Sequence, residues 1–279
     1  MLLNGTLFDF LVYFLPRVCL KIAFRPLPRP AHFSPHPHGT PHQTYPVNFS
    51  VLSIRSPEKW SFGSNSDNVI LKNYIDHTLE KVYEENKVIE KSNYCLFNTG
   101  LYTDFYEEIY AYFIENQNKN KQKWFLDGFY TSYQISNMGV IEHPQRANYF
   151  ANPSELVFDT NCEIIAQYSH IFSDPENFLR IPESVRESSN KILLFDGAIK
   201  RANQMINANY KTAVPQYNKG KIQLLIPICL INENIPDLAL VVSKNEAGIQ
   251  YLGHTCLTLD MAYNNARLIA RPDSIWLKP

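Results

Sequence analysis

The last twenty-five residues place Asp260, Asn264, Arg267 and Arg271 at spacings of four, three and four, the repeat of one face of an α-helix. One acid, one amide and two guanidinium groups are suited to gripping an anion. The guanidinium forks match phosphate or carboxylate oxygens, and the amide offers donor and acceptor to a base or a sugar. The same atoms have a structural alternative, with Asp260 capping the helix and the others closing a satisfied polar seam. Nothing in the stripe specifies catalysis.

Two further constellations could join it. Lys211, Lys219 and Lys221 fall within eleven residues, with Pro215, Asn218 and Gly220 setting a turn ahead of a buried strand. There Lys211 and Lys219 could follow a phosphate backbone while Tyr217 supplies a stacking face; the alternative is a solvated lysine turn. At Asn98-Thr99-Gly100 a strand runs into a glycine turn, a junction that exposes backbone donors and short polar side chains. Asn148, Asn152 and Asp159 are similarly placed, with Asn152-Pro153 starting a turn.

Signatures of covalent or nucleotide chemistry are absent: the chain has no GxSxG, Walker lysine loop, HExxH or GxGxxG. His77, His143, His170 and His254 stand alone in the sequence, and only His254, just upstream of the polar stripe, is kept as an acid or base. The catalytic candidates are therefore Asp260, His254 and Asp159. His32, His36, His38 and His42 lie in a proline-rich stretch that offers no positioned ligands. The five cysteines form no CxxC pair and sit mostly in apolar runs, as reduced buried thiols do. No metal site is expected, and no cofactor is indicated.

These residues must be held by something. Residues 25–50 carry seven prolines and four histidines, a density that forbids helix and central strand. Residues 1–55 therefore read as an irregular arm and 56–279 as the folded domain. From 67 to 85, Ile70, Tyr74, Ile75, Leu79 and Val82 recur at helical spacing behind an Asp67 cap. Residues 94–98, 109–114 and 123–130 are short aromatic and β-branched runs, the strands of a meander. A second helix is predicted over 197–210 and strands over 221–231, 237–243 and 251–259, the last leading into the closing helix. The pattern lacks strict βαβ alternation, so the fold class is α+β: a single domain with a mainly antiparallel sheet and packed helices.

Composition bounds the rest. Hydrophobic content of 45% with 19% charged residues describes a folding chain rather than a disordered one. A net charge of −1 provides no global field, so nucleic acid would have to meet a local patch. The apolar stretch within residues 1–24 is broken by Asp9, Pro16, Arg17 and Lys21, too short of a span for a bilayer and with its positive charge on the wrong side for a secretory signal. A cytoplasmic protein with no membrane contact is expected.

The blocks LFDF (7–10), EKWSFG (58–63), FNTGL (97–101), RANYF (146–150), NYKTAVPQY (209–217), IQLLIPICL (222–230) and the closing run Leu257 to Leu277 together resemble a family built on a domain of unknown function, found in bacteria and eukaryotes. The resemblance covers about residues 57–277. It implies a globular domain often joined to RNA-associated modules such as cold-shock or winged-helix units, and it implies no established reaction. Between residues 11 and 55 the chain departs from that family, where an acidic helical stretch would be expected; such a departure is what a reading-frame or splice change produces.

The expected function is binding of a phosphate-bearing ligand, RNA or a nucleotide, through Asn98, Thr99, Lys211, Tyr217, Lys219, Asn264, Arg267 and Arg271. One alternative is a phosphoesterase or nucleotidyl-transfer enzyme acting on RNA ends. The other is an interaction module in which the stripe is internal.

Overall fold

In the run EIYAYFIE, five consecutive residues from Ile109 to Phe113 are buried, so this strand is covered on both faces. The computed structural model describes residues 49–279 except 65–66, 118–121 and 219; residues 1–48 of the N-terminal arm, with its four clustered histidines, lie outside the described residues, and residues 49–55, expected to be irregular, form a helix. The structure is α+β, and its contacts divide the described residues into two compact units, one of 49–57 with 82–146 and one of 58–81 with 147–279.

The first unit is a four-stranded antiparallel meander of β1 (Ile89–Glu90), β2 (Tyr94–Tyr102), β3 (Glu108–Glu115) and β4 (Trp124–Thr131). The aromatic content that predicted these strands also binds them. Tyr94 stacks on Tyr112 at 5.6 Å, and Tyr112 meets Tyr130 edge-on at 6.0 Å, so one ladder of rings crosses three strands. Helix α1 (Phe49–Arg55) sends Phe49 against Phe129. Helix α3 (Ser132–Asn137) opens with a capping box between Thr131 and Gln134 and buries Ile135 in the core. Helix α2 (Val69–Glu84) belongs to the second unit as far as Lys81. It starts two residues after Asp67, whose carboxylate accepts the Val69 amide at 3.3 Å.

The second unit is built on a five-stranded sheet in the order β5-β9-β8-β7-β6, comprising β5 (Glu163–Ala166), β6 (Val214–Asn218), β7 (Lys221–Ile228), β8 (Leu238–Lys244) and β9 (Gln250–Leu257). All pairs are antiparallel except β5 with β9. Helix α7 (Lys191–Ala208) buries Phe195, Ala198, Ala202 and Ile206, a stripe at helical spacing, against Leu224, Ile226, Leu240 and Val242. The short helices α4 (Tyr168–Ser173), α5 (Pro175–Arg180) and α6 (Glu183–Arg186) complete that layer through Ile171, Ile181 and Val185. Leu225, Ala239 and Val241 alternate with these residues and are buried outside that cluster, and helix α8 (Leu259–Arg267) packs on β6, β8 and β9.

Three expectations change. Residues 214–218 are not a turn but edge strand β6, with Pro215 tolerated at the edge and Gly220, after the strand, taking φ +84°. Asn98-Thr99-Gly100 is not a turn at a strand end but a register shift inside β2, where Gly100 adopts φ +72°. Helix α7 begins six residues earlier than residue 197, because Ile192, Leu193 and Leu194 are exposed and blur the apolar period.

A Cβ added at Gly128 would lie 2.9 Å from the Tyr130 ring, which is held by its 2.6 Å bond to Asp127. Gly128→Ala is expected to cost about 1–3 kcal/mol in chemical denaturation, and less in a Tyr130→Ala background, where the ring no longer competes for that space.

Candidate functional site

Helix α8 explains what becomes of the polar stripe. Thr258 is its N-cap, with Oγ1 accepting the Met261 amide at 3.3 Å, so Asp260 lies exposed in the first turn and is not the cap. The helix stops at Arg267. Arg271 is exposed beyond it, because Pro272 disfavours helical backbone at the preceding residue. The four residues are therefore not one helical face, and only Asp260, Asn264 and Arg267 share the helix.

Arg267 is turned inward. Its Nε donates to Glu58 Oε2 at 2.8 Å and its Nη2 to Glu58 Oε1 at 2.5 Å, a fork in which the two side chains are only 6% and 11% exposed. Trp60 and Tyr74 hold the guanidinium carbon at 4.6 and 4.5 Å from their ring centres. Drawing this arginine out to a ligand would strand Glu58 in the interior, at about 3–5 kcal/mol, so Arg267 is a structural residue rather than a phosphate ligand. Asn264 accepts from Asn73 Nδ2 of α2 at 3.2 Å.

The other sequence-derived residues are distributed unevenly. Asn98 and Thr99 lie in the first unit, buried and spent on backbone: Asn98 donates to Pro144 O and accepts the Gly100 amide, and Thr99 donates to Ile109 O and accepts the Leu101 amide. They do not present open donors. Lys211 belongs to the second unit and pairs with Asp273 at 2.5 Å, a contact that raises the lysine and lowers the carboxylate. Arg271 also acts on Asp273, so the tail after α8 gathers Lys211 and Arg271 around one acid. Trp276 fixes that tail by donating to Thr212 O at 2.8 Å. Lys219 lies outside the described residues.

The catalytic candidates are occupied differently. Asp159 is held well below the usual carboxylate range by Lys244, then by the Asn161 amide and the Cys162 thiol. His254, isolated in sequence, meets His170 edge-on with ring centres 6.0 Å apart, and burial followed by that neighbour lowers its pKa. Among the described residues no three His, Cys, Asp or Glu side chains converge as a metal set.

What the sequence reading passed over is the polar side of α2, where Asn73, Asp76, His77 and Lys81 recur at helical spacing. Lys81 Nζ donates to Tyr217 Oη at 3.1 Å and lies over the Tyr217 and Tyr149 rings at 5.0 and 5.9 Å. His77 stacks on Tyr149 at 5.8 Å and meets Tyr217 edge-on at 5.5 Å. Its Nε2 is buried with no hydrogen-bond partner among the described residues. Burial, helped by Lys81, lowers its pKa to about 4, so the ring is neutral at pH 7. Burial also raises Asp76 to about 6. The result is an aromatic wall with one cation and one neutral imidazole, and the same helix carries the perturbed Asp76 carboxyl.

Asp76 and His77 act on stability in opposite senses. Folded Asp76 keeps its proton up to about pH 6 while the unfolded chain loses it near 3.8, so its burial costs nothing at low pH and most above 6. His77 is neutral down to about 4 while the unfolded ring protonates at 6.5, so its contribution is lost as pH falls through that interval. Asp76→Asn should raise the melting temperature relative to the parent at pH 7.5, with the gain disappearing by pH 4; a gain independent of pH would remove the burial argument. Arg267→Ala should lower stability by about 3–5 kcal/mol in urea denaturation.

Among the described residues no helix is long and apolar enough to cross a membrane. No curated protein and no solved structure matches this chain. The model of a family described as a domain of unknown function (DUF3825) matches residues 52–276, across both compact units, and the chain belongs to that family.

Proposed function

We propose that the unit formed by residues 58–81 and 147–279 binds a phosphate-bearing ligand, RNA in preference to a single nucleotide, in the cytoplasm. The observation that carries this is the Lys81–Tyr217–Tyr149–His77 cluster, where an ammonium group sits on two tyrosine faces beside a neutral imidazole with an unused buried nitrogen. Aromatic faces take bases without regard to sequence, and lysine takes phosphate. Lys211 and Arg271 supply further cations. Lys211 is 48% exposed and its partner Asp273 84% exposed, so phosphate can replace that carboxylate without uncovering a buried charge, which is not true of Arg267. Lys211 lies one short turn before β6 and Tyr217 near that strand's end. At about 3.3 Å per strand residue that separation exceeds a single base and its phosphate, which favours a strand of RNA.

The test is fluorescence anisotropy with a labelled single-stranded RNA 12-mer and a nucleotide panel. Tyr217→Ala should weaken RNA binding about 10- to 100-fold, the range for one lost base stack. Lys211→Ala and Arg271→Ala should each lower the salt dependence by about one counterion. Wild-type protein that binds neither RNA nor nucleotide would sink the reading and leave the interaction module, which the inward-facing Arg267 favours. Should turnover of RNA ends accompany binding, Asp76 is the described carboxyl whose pKa of about 6 suits proton transfer.

A further inference from the structure

The tip of the β2–β3 hairpin, in the first unit, presents apolar surface that the fold has no use for. Phe105 is 87% and Tyr106 85% exposed, and Tyr133 at the start of α3 and Ile54 of α1 are 69% and 76% exposed. Phe105, Tyr133 and Ile54 line an open cleft of about 380 Å³ together with Asp104, Glu107 and Arg55, within the size range of ligand clefts. Leaving such side chains in water forgoes about 1.5–3 kcal/mol each.

The tip is not loose. The Thr103 amide donates to Glu107 O and the Tyr106 amide to Thr103 O, both at 2.9 Å, while Thr103 Oγ1 accepts the amides of Phe105 and Glu107. This wiring holds Tyr106 at φ +59°, a left-handed backbone that costs a non-glycine residue about 1–2 kcal/mol. Strain and exposed aromatics held together in one rigid turn are the marks of a recognition element.

Charge selects the occupant. Arg55 is committed to the wall, donating to Phe129 O at 2.7 Å and to Gln134 Oε1 at 3.2 Å. Asp104 is exposed and Glu107 half-buried at the mouth. Carboxylates at the mouth repel a phosphate backbone, and a wholly apolar peptide would leave them without a counterpart. We infer that this cleft docks an extended segment of a partner protein in which arginine is flanked by apolar residues. The arginine lies against Phe105 and Tyr133 with its charge toward Asp104 and Glu107.

The inference is independent of RNA binding, because it concerns residues of the other unit. The test uses the full chain and a fluorescein-labelled decapeptide of alternating arginine and leucine, with counterparts carrying glutamate for arginine or serine for leucine. The expected result is binding of the first peptide at least tenfold tighter than of either counterpart. It should weaken at least tenfold in Phe105→Ser and in Asp104→Lys/Glu107→Lys, variants of surface side chains that should leave the melting temperature unchanged. Failure of the arginine-leucine peptide to bind, or binding that ignores either substitution, would overturn it. So would self-association abolished by Phe105→Ser in sedimentation, or RNA affinity lost in Phe105→Ser, since a second copy or a nucleic acid would then own the cleft.

Discussion

A guanidinium that has left water must be repaid in full, and in the second unit it is repaid by Glu58, Trp60 and Tyr74 together. The fork between Arg267 and Glu58 satisfies the charges, and the two rings fill the space that water would otherwise occupy. Three separate stretches of chain meet there: the segment before α2, α2 itself, and the end of α8. The neighbouring Asn73–Asn264 bond ties α2 to α8 a second time. Helix α8 thereby has a fixed rotation, and the tail beyond it is delivered to the Thr212 carbonyl, where Trp276 anchors it.

Burial divides the polar residues into two populations with different uses. Arg267, Asn98 and Thr99 are surrounded: the arginine is held by the Glu58 carboxylate, and the amide and hydroxyl bond backbone groups. Lys211 and Arg271 stand at the surface, where their contacts exchange freely with solvent. Lys81 belongs to neither group: it is half-buried, with its stem and charge laid along aromatic faces. An intermediate position of this kind holds the cation already oriented along the rings.

The α+β class, the meander, the amphipathic α2 and the strands around 221–257 could be read from the sequence, because α2 has a clean apolar period and the strands are short apolar runs bounded by polar or glycine residues. Between residues 131 and 190 the elements are the four-residue strand β5, short helices such as the one capped by Asp174, and a 3-10 turn begun by Pro153. They are too brief for a period to form, and that region was not legible. The Asn98 and Arg267 assignments failed for a shared reason: residue type reveals what a side chain can bond, but not whether the fold has already bonded it. Asn73, Asp76, His77 and Lys81 could have been found by the spacing rule that drew attention to α8. They were hidden because α2 was read for its apolar face alone. The aromatic tip at Phe105 and Tyr106 carried no signal, since exposure of an aromatic is decided by tertiary structure.

The order of the chain adds a constraint on synthesis. Glu58 and Arg267 are separated by 209 positions, and residues 82–146, which form most of the first unit, are inserted between the two pieces of the second. As the polypeptide leaves the ribosome, the tyrosine-laddered meander has all its strands long before Arg267 is made, whereas residues 58–81 must wait for Arg267 to emerge to find their counterpart. Until then Glu58, Trp60 and Tyr74 have no guanidinium to enclose. The late arrival of one arginine therefore makes completion of the second unit a report that translation has passed position 267.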